Sequence, residues 1–179
     1  SAGVVEVVAR SLEKSGIRQV VLDPVMVSTS GHRLIEESAI EVITKRLVPL
    51  ARVITPNIPE AEILSGRKIE NEEDFPEVAK MLSFGDKVSV LLKAGHLTGD
   101  DLVDYFYNAE NGEVTLLPSK RVYTKNTHGT GCTLSSAFAA ALARGEELST
   151  AAASAKRYIE QAIISGAEYT IGHGHGPVN

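Results

Sequence analysis

Apolar and polar positions along this chain change period repeatedly, and each change predicts a new element. From Ala2 to Ser15 the residues Val4, Val5, Val8 and Leu12 recur at helical spacing, which predicts an amphipathic helix. The β-branched run Val20-Val21-Leu22 then predicts a buried strand ending at Asp23-Pro24. Further on, the pattern predicts a helix over Glu36–Leu47, a short strand over Arg52–Thr55, and a helix that Pro59 starts and Gly66 stops. A helix over Glu72–Ser83 and a strand over Val88–Lys93 follow. Leu102–Tyr107 and Glu113–Leu117 read as a hairpin-like pair around Asn111-Gly112, and helices over Thr133–Ala143 and Ser149–Ser165 close the series. No repeat or low-complexity linker interrupts it.

Helices alternating with apolar strands predict an α/β fold: a mostly parallel sheet with helices on both faces, whose ligands sit beyond the carboxyl ends of the strands. Four groups occupy such positions. Asp23 ends the first strand, Asn57 and Glu60 follow the second, Lys93-Ala94-Gly95-His96 ends the third, and a glycine-rich turn from Asn126 to Ser136 follows the last. Each alone is equally an ordinary turn former or strand breaker.

The glycine-rich turn carries the most chemistry. Gly129 and Gly131 let backbone approach a ligand closely, and the first amides of the following helix have no intrahelical acceptor, so they point at an anion such as phosphate. It matches neither the P-loop, lacking Lys-Ser or Lys-Thr after the second glycine, nor the dinucleotide fingerprint, lacking a third spaced glycine. The helix start also favours a thiolate, which makes Cys132 a candidate base or nucleophile; taken without its neighbours, a lone cysteine is more often a small buried hydrophobe.

Composition narrows the field. A length of 179 residues with 43% apolar content corresponds to one globular domain. Eighteen basic against twenty-three acidic side chains give a net charge of −5 with no basic stripe, which argues against nucleic acid as a partner. One cysteine excludes an internal disulfide framework and agrees with a reducing compartment, so the cytoplasm is the expected location. No apolar run approaches the ~20 residues of a membrane span. The chain opens at Ser1 in a helical pattern with no strand before it, and an N-terminal portion is therefore expected to be lacking.

Together the four groups offer a carboxylate, an amide–carboxylate pair, a lysine and an anion-binding helix start, the equipment for phosphoryl transfer from a metal-bound nucleotide. Mg²⁺ takes oxygen ligands and keeps waters, so Asp23 and Glu60 are its candidate holders, with Asn57 orienting the hydration shell. Lys93 can place its charge on the phosphates of ATP. Positioning and charge carry most of this chemistry, and Cys132 is the group left to take the acceptor's proton.

The segments Val21–Met26, Thr55–Ala61 and Asn126–Ser135 and the tail Gly172–Asn179 resemble the hydroxymethylpyrimidine/phosphomethylpyrimidine kinases of thiamine biosynthesis, members of the ribokinase-like superfamily. The resemblance covers essentially the whole chain, and its most specific piece is the cysteine after Gly-Thr-Gly, where most sugar kinases of the superfamily have aspartate. It implies a ribokinase-like three-layer sandwich, with residues 1–179 a single domain forming the C-terminal two-thirds of the full fold. It further implies an anion hole of Gly129, Thr130, Gly131 and Cys132, with Cys132 near the substrate's hydroxymethyl group. Asn57 and Glu60 match the superfamily's Asn-x-x-Glu motif, Asp23 and Lys93 match positions facing metal and nucleotide phosphates, and Val25 matches one lining the pyrimidine pocket. A homodimer is implied as well. Lys-Ala-Gly-His stands where the family pattern has Lys-Gly-Gly-His, a change that a loop without positive φ at Ala94 absorbs.

Three other readings stay open at this point: a pyridoxal kinase-like member of the superfamily, a Cys-His hydrolase using Cys132, and a non-catalytic nucleotide-binding module. His173 and His175 alternate with glycine in the tail, which predicts a flexible, solvated turn rather than a metal site.

Overall fold

The computed structural model describes residues 1–27 and 34–179. Strands β1 (Val21–Leu22), β2 (Val53–Ile54), β3 (Ser89–Leu92), β4 (Asp101–Tyr107) and β5 (Val114–Lys120) form one sheet in the order β1-β2-β3-β4-β5. β1, β2 and β3 pair in parallel, and β4 runs antiparallel between β3 and β5. Only β4 therefore opposes the common direction. The hairpin reaches Lys120, beyond the expected end at Leu117, and carries Pro118, which an edge strand such as β5 tolerates because its outer side needs no ladder donor.

Helix α1 (Ala2–Ser15) ends on Gly16 at φ 67, and α3 (Ile58–Ser65) ends on Gly66 at φ 69, both left-handed C-caps. The segment expected as one helix to Leu47 divides: α2 covers Glu37–Val42, a π-helical turn Ile43–Leu47, and a 3₁₀ turn Val48–Leu50 contains Pro49. Proline has no amide to continue the ladder, so the chain leaves α geometry there. A 3₁₀ turn Glu72–Asp74 leads into α4 (Phe75–Leu82). The closing helices are α5 (Thr130–Ala143) and α6 (Leu148–Gly166).

Period-two alternation distributes the strand residues between two cores. Ile54, Val90, Leu92 and Tyr105 face Ala61, Phe75 and Val78 of α3 and α4, whereas Val53, Leu91 and Phe106 face Phe138, Ala151 and Ala155 of α5 and α6. Phe106 and Phe138 meet edge to face at 5.8 Å, and truncating either to Ala costs about 3–5 kcal/mol. After β5, at the far edge, the chain returns across the sheet, and α5 packs back toward β1.

The Gly-His stretch of the tail, Gly172 to His175, is exposed, as expected, whereas Gly176 is buried and Pro177 pairs with His128 as a one-residue bridge. Among the described residues no helix is long and apolar enough to cross a membrane.

Candidate active site

Parallel register brings the carboxyl ends of β1, β2 and β3 to one edge. Leu22 stands opposite Ile54, Ile54 opposite Val90, and the ladder resumes as a bridge between Asn57 and Lys93. Lys93 donates its backbone N–H to the Pro56 carbonyl at 3.1 Å. Residues far apart in the chain thereby become neighbours.

Lys93 Nζ donates to Asp23 Oδ1 at 3.0 Å, and the buried Thr55 Oγ1 donates to the same oxygen at 3.1 Å. These lysine and aspartate side chains are only 15% and 12% exposed, so water screens the pair far less than a surface ion pair. Thr55 is a site residue that the sequence reading passed over, although it lies within the Thr55–Ala61 motif.

Asn57 and Glu60 form a capping box at the start of α3. Asn57 Oδ1 accepts from the Glu60 amide and Glu60 Oε2 accepts from the Asn57 amide, both at 2.9 Å. Glu60 Oε1 also accepts from the Met26 amide at 3.4 Å, tying the helix to the segment after Asp23-Pro24. Burial pushes the Glu60 carboxyl above its ordinary value, and the Asp23 charge adds to this; the Asn57 and Met26 amides and the Lys93 ammonium oppose it.

These carboxylates fit a hydrated divalent ion. Each Glu60 oxygen keeps a lone pair beyond the amide it accepts, and Asp23 Oδ2 points toward Gly131. Among the described residues no group of three or more His, Cys, Asp or Glu side chains is placed to hold a metal. An ion here would complete its shell with water and substrate oxygens, the usual manner of Mg²⁺.

α5 begins at Thr130, three residues ahead of the expected Thr133, because Gly129 takes the N-cap position at φ 87, a conformation that glycine adopts without strain. Thr133 N donates to Gly129 O at 2.9 Å, so Gly131 and Cys132 lie within the first turn. Among the described residues no side chain caps this helix, which leaves its leading amides for an anion. A Cβ on Gly131 would stand 3.3 Å from both Asp23 Oδ2 and Lys93 Nζ. The helix start and the Asp23–Lys93 pair therefore border one space.

Cys132, one residue further, is exposed and lines an open cleft of about 530 Å³ between α5 and α6, together with Ser136, Ala140, Arg144, Ser154 and Tyr158. Asp23, Asn57, Glu60 and Lys93 do not line that cleft. Val25 is 42% exposed and does not line that cleft; its amide donates to Asp23 O at 2.9 Å.

Asp104 supports the lysine turn from below. It is 5% exposed; its Oδ1 accepts from the Ala94 amide at 2.8 Å and its Oδ2 from Lys156 Nζ of α6 at 2.7 Å. The signal for it was a lone charge inside the otherwise apolar run Leu102–Tyr107. Ala94 itself is buried in a 3₁₀ turn and is not among the positive-φ residues, so Lys-Ala-Gly-His needs no second glycine.

Known proteins share this framework. The bifunctional thiamine biosynthesis protein ThiED of Geobacter sulfurreducens is 46% identical over 179 residues, all of this chain and 36% of that protein. The hydroxymethylpyrimidine/phosphomethylpyrimidine kinase of Rhizobium meliloti is 42% identical over 173 residues, 96% of this chain and 64% of that enzyme. Among solved structures, the Staphylococcus aureus pyridoxal kinase in complex with AMP-PCP and pyridoxal superposes with a TM-score of 0.87 at 30% identity, covering 100% of this chain and 63% of that one. The chain thus spans less than two-thirds of the length of these relatives. The phosphomethylpyrimidine kinase profile matches residues 1–179, and with the ribokinase-like arrangement of sheet, lysine turn and glycine-led helix this places the chain in the phosphomethylpyrimidine kinase family.

Proposed function

We propose that the gene product carrying this chain transfers the γ-phosphoryl group of ATP to the hydroxymethyl oxygen of 4-amino-5-hydroxymethyl-2-methylpyrimidine, and then a second one to the resulting monophosphate, for thiamine diphosphate synthesis. The observation that carries this reading is the placement of the α5 start, at Gly131, over the Asp23–Lys93 pair. A transferred phosphoryl group needs amide donors and a cation converging on its oxygens, and that edge supplies both.

Each residue then has a task. Lys93, held by Asp23, binds nucleotide phosphate oxygens; Thr55 keeps the Asp23 carboxylate turned toward the lysine. The amides of the first turn of α5 receive the charge growing on the phosphoryl oxygens, where one such donor is worth about 10²–10³ in rate. Asp23 and Glu60, with Asn57 beside them, would hold the magnesium of the nucleotide, which neutralises phosphate charge when bound. Cys132 accepts the hydroxymethyl proton as that oxygen bonds to phosphorus and ADP leaves. Val25, exposed two residues after Asp23, contacts the pyrimidine. The same reading carries the cytoplasm as compartment and a homodimer as assembly.

A pyridoxal kinase-like activity is the second reading, favoured by the TM-score of 0.87 to the S. aureus enzyme; the higher identity to the R. meliloti kinase favours the pyrimidine. The test is ADP release by the full-length gene product with Mg-ATP and either acceptor. Turnover of the pyrimidine and its monophosphate is the expected result. Preference for pyridoxal moves the assignment to a pyridoxal kinase, and the absence of acceptor-dependent ADP release leaves a nucleotide-binding module without turnover.

A further inference from the structure

The residues leading into the phosphate-binding turn have no ladder of their own: Asn126, Thr127 and His128 belong to no helix or named strand. Two contacts from distant chain hold them instead. Asn126, 5% exposed, donates its carboxamide Nδ2 to Gly166 O at the end of α6 and to Tyr169 O, both at 2.7 Å. His128 is gripped through its main chain, donating to Gly176 O at 3.0 Å and accepting from Val178 N at 3.1 Å. The tail is fixed in turn, since Asn179 N donates to Ala162 O at 3.1 Å and Val178 packs on the core beneath α5 and α6.

The two contacts meet. A Cβ on Gly176 would lie 2.0 Å from Asn126 Oδ1 and 2.7 Å from its Cγ, so the tail backbone lies directly against the carboxamide. Only a residue without a side chain fits there. Gly166 is similarly close to the tail, a Cβ on it standing 3.0 Å from Asn179 N.

We infer that Gly176–Val178 form a strap and Asn126 its clasp, and that together they position the Gly129–Cys132 turn over Asp23 and Lys93. Asn126 is a positioning residue: it acts through the turn three residues on and not on the transferred group. A buried carboxamide is well suited to this, because its two N–H donors reach two separate carbonyls, Gly166 O and Tyr169 O. The glycine-rich tail, which the phosphotransfer chemistry leaves without a task, thereby acquires one. The kinetic consequence rests on the kinase reading above; the structural one does not.

The test is a double-mutant cycle in the full-length gene product, using Asn126→Ala, Gly176→Ala and the two combined. Asn126→Ala removes the clasp; Gly176→Ala leaves every donor present but pushes the carboxamide aside. Each alone is expected to lower kcat by about 10- to 100-fold, the usual penalty for a displacement near 1 Å, with KM for the acceptor within about twofold. The double variant is expected to be no worse than the poorer single one, because the methyl added by Gly176→Ala then meets no carboxamide. Hydrogen exchange read on a peptide spanning 126–136 should accelerate in each single variant while a peptide from α4 stays unchanged. Additive losses, wild-type kcat in Asn126→Ala, or unaltered exchange at 126–136 would overturn the strap. If the wild type turns over neither acceptor, the kinase reading fails and the exchange measurement alone decides the strap.

Discussion

Gly131→Ala separates stability from function at a single methyl group. Gly131 is the second residue of α5 and is not among the glycines with positive φ, so alanine meets no backbone penalty there. Alanine is the better helix former by at most about 1 kcal/mol, which corresponds to a rise in Tm of about 2–4 °C for a domain of this size. The methyl carbon, however, would stand 3.3 Å from Asp23 Oδ2 and 3.3 Å from Lys93 Nζ. That is tighter than an ordinary contact, and on the proposed reading it fills the space where a phosphoryl oxygen approaches the amide. Loss of one such donor costs about 10²–10³ in kcat, or about 2.7–4 kcal/mol of transition-state stabilisation. The assay is coupled ADP release alongside thermal denaturation of the same preparations. The expected result is a variant whose Tm stays within about 4 °C of wild type, the helix gain offset by the tight contact with the Asp23–Lys93 pair, with a deep loss of kcat. Wild-type turnover in Gly131→Ala would refute the claim that this helix start binds the transferred group.

Gly129→Ala should do the reverse at first sight: φ 87 with open space around the Cβ makes the defect one of strain, costing about 1–2 kcal/mol in a denaturant titration, and an unshifted midpoint would contradict it. Cys132→Ala should lower kcat by about 10²–10⁴, the range of general-base catalysis, while the nucleotide KM stays nearly constant; equal turnover would remove the thiol from the mechanism. Because burial holds the Glu60 carboxyl above its ordinary value, the folded chain binds that proton more tightly than the unfolded one, so this group's contribution to stability falls as pH rises from the ordinary value through the folded one. Glu60→Gln lacks that slope: its Tm relative to wild type should climb with pH across the window, its magnesium requirement should increase, and a flat difference would sink the argument. Asp104→Ala leaves Lys156 and the Ala94 amide without their buried partner, an expected loss of about 3–5 kcal/mol by chemical denaturation; a loss under about 1 kcal/mol would show that water replaces the carboxylate.

The element pattern was legible because burial imposes a period on the sequence. Val53 and Ile54, or Leu91 and Leu92, face opposite cores, and a strand covered on both faces must read as an unbroken apolar run. Boundaries were less legible where one residue's backbone freedom decides them. The start of α5 moves to Thr130 because Gly129 supplies a left-handed N-cap, and α2 gives way to π and 3₁₀ turns ahead of Pro49. The spacing Asn57-x-x-Glu60 carries a capping-box signature that reads directly as a helix start, a role the structure adds to the one implied by family resemblance.

By itself the sequence determined the alternation of helices and strands, the positions of reactive side chains after strand ends, and the motifs that mark the family, since all of these are local in the chain. Tertiary structure alone decided which groups meet. Asp23 and Lys93 are 70 residues apart and Asp104 and Lys156 are 52 apart, and no local preference links such pairs. Parallel register aligns the first pair, and the packing of α6 against the sheet creates the second. The tail is the clearest case: glycine and histidine in alternation specify no conformation of their own. Its closing residues take their place through partners far away in the chain: Gly176 and Val178 bond to the His128 main chain, and Asn179 N donates to Ala162 O.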